Sequence, residues 1–353
     1  MLKKICLLIL GIVCLVGCKT KFSVNGEYVE KAVVHFLLDQ GEEYHFLKLN
    51  RTFLKEGNAM EFAKEPELSY FDNVVAVVKE IKNGVVSRTW TLKDTTITNK
   101  ESGAFYAPEQ KLYYFKSNNL DDNAIYRLEI DVDNGNHKIT GQTKLVKGIS
   151  IKYPQPNQSF NFADNNVEQN GYKGTPISFN KSVDGALYKM QLKIYYKEYN
   201  LSGDEDKTLL WDLGTVKNED LSGANPTIVA EGKGFYEYLS KKIPNDPNVY
   251  RRTLTAMEII LTAGAPDLYT YMLTNEPTSS LAQTKPTFSN VDGALGIFSS
   301  RVTIKQFKPV YIAPQTRCLN MNSTKELCQG SYTQNLNFCS DIPLDNSYSF
   351  FCN

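Results

Sequence analysis

The chain is 353 residues long, enough for two domains of ordinary size, and its 39 basic side chains are matched by 39 acidic ones. That balance leaves no basic footprint for nucleic acid, so no nucleic-acid partner is expected. Tyrosine (21) and phenylalanine (18) are abundant while histidine (3) and tryptophan (2) are scarce, a mixture that favours strands over imidazole chemistry.

The opening MLKKICLLILGIVCLVGC sets Lys3 and Lys4 before an apolar run from Ile5 to Val16, too short to span a bilayer permanently. It reads as a secretory signal over residues 1–17. Leu15-Val16-Gly17-Cys18 resembles the lipobox of bacterial lipoproteins, in which the cysteine thiol is acylated and becomes the first mature residue. Acyl chains contribute about 0.8 kcal/mol per buried methylene, so several of them on Cys18 would tether a water-soluble body to a membrane.

The first region, residues 18–146, alternates at strand period. In NVVAVVKEI and VVSRTWTL two apolar runs flank Lys82-Asn83-Gly84, which predicts a hairpin with Trp90 and Leu92 on one face. In IYRLEIDVDNGNHKIT, Tyr126, Leu128, Ile130 and Val132 alternate with charged residues. A two-residue Asn134-Gly135 turn is expected to set Val132 beside His137. After Val146 a stretch rich in Pro, Asn, Gln and Gly marks a junction.

A second β region, 147–311, follows. Its clearest strand is Tyr188–Tyr196, with Tyr188, Met190, Leu192, Ile194 and Tyr196 on one face. Helical spacing appears twice, at Phe235, Tyr238 and Leu239 before Pro244 and at Leu268, Tyr271 and Met272 before Pro277, both read as core contacts. RRTLTAMEIILTA between them reads as a buried strand. The string VDGAL occurs at Val183–Leu187 and Val291–Leu295; the flanks do not align, so it is read as one turn solution used twice, the first copy in a hairpin. The predicted fold is mainly β: two tandem antiparallel β-sandwich domains, Ig-like or fibronectin III-like, with two short helices in the second.

Four cysteines, Cys318, Cys328, Cys339 and Cys352, cluster in the last segment, 312–353. In an exported protein they predict two disulfides in a Cys-rich tail, with three possible pairings.

DNVVAVVKEIKNG, GAFYAPEQ, AIYRLEIDVDNGNHKITGQTKLV, DLYTYM and FSNVDGALGIFSSR occur in an order and spacing that resembles a family of Bacteroidota envelope lipoproteins of unassigned function. The resemblance covers nearly all of the mature chain. It implies two β-rich domains behind a lipidated cysteine, an outer-membrane address, and work beside a TonB-dependent receptor or another envelope assembly. It supplies no catalytic residues. Lys19-Thr20-Lys21-Phe22 departs from the acidic stretch that follows the cysteine in surface-exported relatives, which leaves the membrane face open.

Catalytic motifs are not evident. His35, His45 and His137 sit singly in strand contexts, with no HExxH, so no metal site is expected. DVDNGN at Asp131–Asn136 is read as a hairpin rather than a calcium loop, and Asp204, Glu205 and Asp206 as a solvated loop. No GxSxG, P-loop or GxGxxG follows a strand, and no cofactor is expected. The leading expectation is a non-enzymatic, lipid-anchored accessory protein. A surface glycan- or peptide-binding module is the alternative, using tyrosines such as Tyr113, Tyr114, Tyr153 and Tyr172, with Tyr153 and Tyr172 as the ligand-binding candidates. A hydrolase using dispersed carboxylates is a third reading.

Overall fold

Residues 30–52, 58–98, 100, 103, 106–223, 225–275, 287–313 and 316–352 are described by the computed structural model. The signal segment and Cys18 lie outside the described residues. The first region supplies β1 (Ala32–Asp39), β2 (Tyr44–Arg51), α1 (Ala59–Phe62), β3 (Val74–Lys82), β4 (Val85–Thr91), β5 (Lys93–Ile97), β6 (Gln110–Lys116), β7 (Ile125–Val132) and β8 (His137–Lys144). There follow β9 (Ser150–Tyr153), α2 (Val167–Asn170), β10 (Gly174–Asn180), β11 (Leu187–Asn200), β12 (Gly203–Lys217), β13 (Thr227–Glu231), α3 (Gly232–Lys242) and β14 (Val249–Gly264). The chain continues through α4 (Pro266–Asn275), β15 (Val291–Asp292), β16 (Leu295–Pro309), β17 (Tyr311–Ala313), β18 (Thr316–Arg317) and α5 (Met321–Gln329). The protein is mainly β, with short helices and one disulfide near the C-terminus.

One eight-stranded sheet has the order β12-β11-β14-β16-β1-β2-β6-β5, a five-stranded sheet β15-β8-β7-β3-β4, and a three-stranded sheet β13-β10-β9. Two apolar cores form against them. The first joins Val34, Phe36 and Leu47 to Val78, Tyr126, Leu128 and Ile139. The second joins Met190, Leu192 and Ile259 to Phe179, Phe235 and Tyr236. Leu145 belongs to the first and Val146 to the second, while Val291 and Phe298 further along the chain return to the first.

Several predicted elements have the expected register. Asn83 (φ 50°) and Gly84 (φ 79°) turn the first hairpin and pair Lys82 with Val85. On β11 the five predicted inward residues, from Tyr188 to Tyr196, are buried. A wholly buried side chain of this size contributes about 1.5–3 kcal/mol. β14 is interior to the large sheet, between β11 and β16.

Other expectations are corrected. Pairing is not antiparallel throughout: β1 runs parallel to β16, from Val33 opposite Leu295 to Asp39 opposite Arg301, so one sheet crosses the expected junction. β16 itself serves both cores, through Phe298 and then Val302. Val132 does pair with His137, but through a four-residue loop in which Asp133, Asn134 and Gly135 all have positive φ. Asp204, Glu205 and Asp206 lie on β12 rather than in a loop, with Asp204 bridging to Lys197 at 3.2 Å. Helix α4 buries none of its residues, and Met272 is 40% exposed.

The two VDGAL copies do not share a turn. Gly293 has φ +77° between β15 and β16, whereas Gly185 keeps an ordinary φ in a segment that carries the chain from one sheet to another, not in a hairpin. Neighbouring context, not the pentapeptide, sets the backbone.

The tail is likewise not an appendage. Cys318, Leu319, Leu327, Leu336, Phe338 and Phe350 are members of the second core. Cys339 and Cys352 form a disulfide, while Cys318 and Cys328 are free buried thiols, so one bridge replaces the two expected. Both thiols are pushed up to about 12, chiefly by burial.

Glu80 is a charge sealed in the first region. Burial alone would raise its pKa, but donors from Arg88, Ser87 (2.7 Å), Tyr126 (2.8 Å) and the Asp121 backbone outweigh it and hold the carboxyl down to about 2. The carboxylate thereby ties β3 to both of its neighbours.

Candidate functional site

A polar cleft of about 630 Å³ lies between the α2 loop and α5. Both walls are fixed by local rules. On one side Asn166 caps α2 by accepting from the Gln169 amide at 3.2 Å, and Gly171 at φ 75° ends that turn. Asp164 is held by Lys173 at 2.6 Å and by the Asn165 amide at 2.7 Å, which together lower its pKa. On the other side Asn320 caps α5 through the Ser323 amide at 2.9 Å.

The walls are locked together from behind. The buried Ser323 hydroxyl accepts from the amides of Phe162 (2.8 Å) and Ala163 (3.2 Å), and Tyr236 donates to the Ser323 carbonyl at 2.9 Å. The Phe160 amide donates to the Cys318 carbonyl at 2.7 Å. A cleft whose back is hydrogen-bonded in this way is pre-formed rather than assembled around a ligand.

At its centre Tyr172 donates to Glu326 at 2.9 Å, with its ring 5.5 Å from Tyr236 and 6.0 Å from Tyr332. Burial raises the Glu326 pKa, with Glu168 adding to the rise and Tyr172 and Lys325 opposing it. Burial and then the Glu326 contact push the Tyr172 phenol up to about 12. Gly330 makes the arrangement possible, because a Cβ there would stand 2.1 Å from the Glu326 Oε1. Asn165, Asn322, Gln329 and Lys325 add amide and ammonium groups to the lining. Paired donors and acceptors beside aromatic faces suit a ligand rich in hydroxyls.

Of the predicted ligand residues, Tyr172 is in this cleft and Tyr153 is not; Tyr153 stands on β9 at 37% exposure. Tyr113, expected to be exposed, points into the first core at 5% exposure, because alternation on β6 turns it inward and Tyr114 outward. The histidines are separate: His45 meets the Ser117 carbonyl at 2.9 Å, His137 meets Glu30 at 3.2 Å and His35 meets Tyr271 at 2.8 Å. Glu326 and Tyr332 were not foreseen, since the tail was read only through its cysteines. The string NMNSTKELCQG, with Asn320 as cap, Leu327 and Cys328 inward and Gly330 as stop, carried the helix signal.

No family profile matches the chain, and no curated protein matches it. Among solved structures it is similar to the C-terminal globular domain of the oligosaccharyltransferase from Pyrococcus abyssi, at 11% identity and a TM-score of 0.22. The alignment covers 67% of this chain and 48% of that one, so it spans about half the length of the archaeal domain. At this score the likeness carries no inference about either chain's activity.

Proposed function

We propose that this chain is a lipid-anchored protein of the outer membrane that works by binding, and that the Tyr172–Tyr332 cleft is its site for a neutral, polyhydroxylated ligand, a glycan. The observation that carries the cleft reading is the Tyr172–Glu326 hydrogen bond at 2.9 Å inside a pocket where four carboxamides and a second tyrosine stand among acidic and basic side chains of both signs. We read the two cores as tandem Ig- or fibronectin III-like sandwiches over 18–146 and 147–311 that share a sheet, with 312–353 closing the second.

A glycan array probed with the full chain in mild detergent tests the site. Both tyrosines are half-buried, and a stacking contact on such a ring contributes about 0.5–1.5 kcal/mol, so Tyr332→Ala weakens any neutral-glycan binding about fivefold and Tyr172→Ala at least as much. Unchanged binding in both variants would remove the cleft from the account.

Anchoring rests on the lipobox at Cys18, and the partner, a TonB-dependent receptor or other envelope protein, on the family resemblance. Cys18→Ala is expected to move the protein from the membrane fraction to the soluble fraction and to abolish co-purification of an envelope partner. A variant that still sediments with membranes contradicts the anchor.

A hydrolytic reading has one observation in its favour: Asp164, Glu168 and Glu326 line the same cleft, with opposed shifts on Asp164 and Glu326. We place it second because Asp164 is already neutralised by Lys173 and Glu326 already accepts from Tyr172.

A further inference from the structure

The outer face of the large sheet carries a second pocket, of about 440 Å³. Strand alternation creates it: Val34, Phe36, Leu47 and Leu49 point into the first core, so Val33, His35, Lys48 and Asn50 face away. Register then sets His35 beside Lys48 and Val33 beside Asn50. Tyr70 and Tyr106 add aromatic walls, Arg51 and Lys100 two more cations, and among the described residues no carboxylate lines the pocket.

The three cations are not equivalent. Arg51 is offset by Glu30 at 3.6 Å and donates to the Glu67 carbonyl, and Lys100 donates to the Tyr106 carbonyl. The Lys48 ammonium has no hydrogen-bond or ion-pair partner among the described residues. Its field reaches both His35 and Lys100, each held below its ordinary pKa first by burial and then by Lys48. Lys48, left without a partner among the described residues and set between aromatic walls, matches an anion carried on a ring, and a ring carboxylate is the choice tested below.

The same face continues along β2 and β6 as an aromatic platform. Tyr44 and Phe46 are 44% and 42% exposed. Phe46 stands two residues from Lys48, opposite Tyr114, with those two rings 5.9 Å apart. Exposed rings beside a cationic pocket suit successive sugar rings, one of which carries the charge.

We propose that this face binds an acidic oligosaccharide, with the carboxylate of one uronate residue seated on Lys48 and its neighbours stacked on Phe46, Tyr44 and Tyr114. This site is separate from the neutral-glycan cleft and does not depend on it.

Calorimetry of the full chain in mild detergent with trigalacturonate, and with galactotriose as the uncharged control, tests the assignment. Expected are binding of trigalacturonate that weakens with added salt, about a tenfold loss in Lys48→Gln and about a threefold loss in Phe46→Ala. Tyr332→Ala leaves trigalacturonate binding unchanged, which separates this site from the cleft. Equal binding of galactotriose, or no effect of Lys48→Gln in a variant whose circular dichroism is native, overturns it. Tighter binding of inorganic phosphate or of phosphatidylglycerol vesicles than of trigalacturonate overturns the choice of a sugar carboxylate.

Discussion

Arg252→Ala is expected to lower the unfolding free energy by about 3–5 kcal/mol, the cost of breaking a buried ion pair from one side. Arg252 is fully buried; it donates to Glu198 at 2.8 Å, to the Leu336 carbonyl at 2.7 Å and to the Pro244 carbonyl at 3.1 Å. Its backbone also joins the tail, accepting from the Cys339 amide at 3.0 Å and donating to the Asn337 carbonyl at 2.8 Å. One side chain therefore satisfies a buried carboxylate on β11 and the buried Leu336 carbonyl, and reaches the Pro244 carbonyl nearer the surface. Its removal orphans the two buried acceptors, Glu198 and the Leu336 carbonyl. Urea unfolding followed by circular dichroism measures the loss, and the rate of labelling of Cys318 and Cys328 reports whether the tail has lifted from the core. A shift below about 1 kcal/mol would mean that the pair is not structural. The double change of Arg252 and Glu198 to Met should recover much of the loss, because no charge is then left unpaired.

The second large effect is expected at Gly296. Its φ is +111°, and a Cβ there would stand 2.0 Å from the Val34 carbonyl oxygen. Gly296→Ala combines positive-φ strain with a forced shift of β1 from β16, on the order of 3 kcal/mol. The damage falls on the strand pair that joins the two halves of the sheet. Around that pair the buried Asp39 carboxylate accepts from Arg301 at 2.9 Å and from the Thr303 hydroxyl at 2.7 Å, and Phe36 stacks on Phe298 at 5.3 Å.

The two tryptophans make this measurable. Trp90 packs on Phe115 in the first core and Trp211 on Phe235 in the second. In single-tryptophan proteins made with Trp90→Phe or Trp211→Phe, the two fluorescence transitions should coincide in urea. Gly296→Ala should separate them and move the first core to lower urea. Coincident, unshifted transitions in that variant would show that the β1–β16 junction does not couple the cores.

What was legible in the chain was local. Alternation at Tyr126–Val132 and Tyr188–Tyr196 names its own buried face, because side chains on a strand point to opposite sides in turn. Asn83-Gly84 names its own turn, because few residues accept positive φ at both positions. Tyr172 was picked out as a ligand residue, but as an exposed platform rather than as the donor that holds Glu326.

The remainder depended on partners distant in the chain. Nothing near Ala32–Asp39 says that it will lie parallel to Leu295–Pro309, since pairing is set by which apolar faces remain to be covered once the local hairpins have formed. The same holds for VDGAL, whose two copies take different backbones under different neighbours, and for the tail, where Cys339 meets Cys352 while Cys318 and Cys328 are buried as free thiols in the second core. Both proposed binding faces have this origin. Glu326 meets Tyr172 across 154 residues, and Lys48 stands in an aromatic pocket because β2 turns it away from the core. Sequence alone determined strands, turns and an expected address, all readable at a range of a few residues; the sheet order, the single disulfide and the juxtaposition of side chains into sites were decided by long-range packing, which no local pattern encodes.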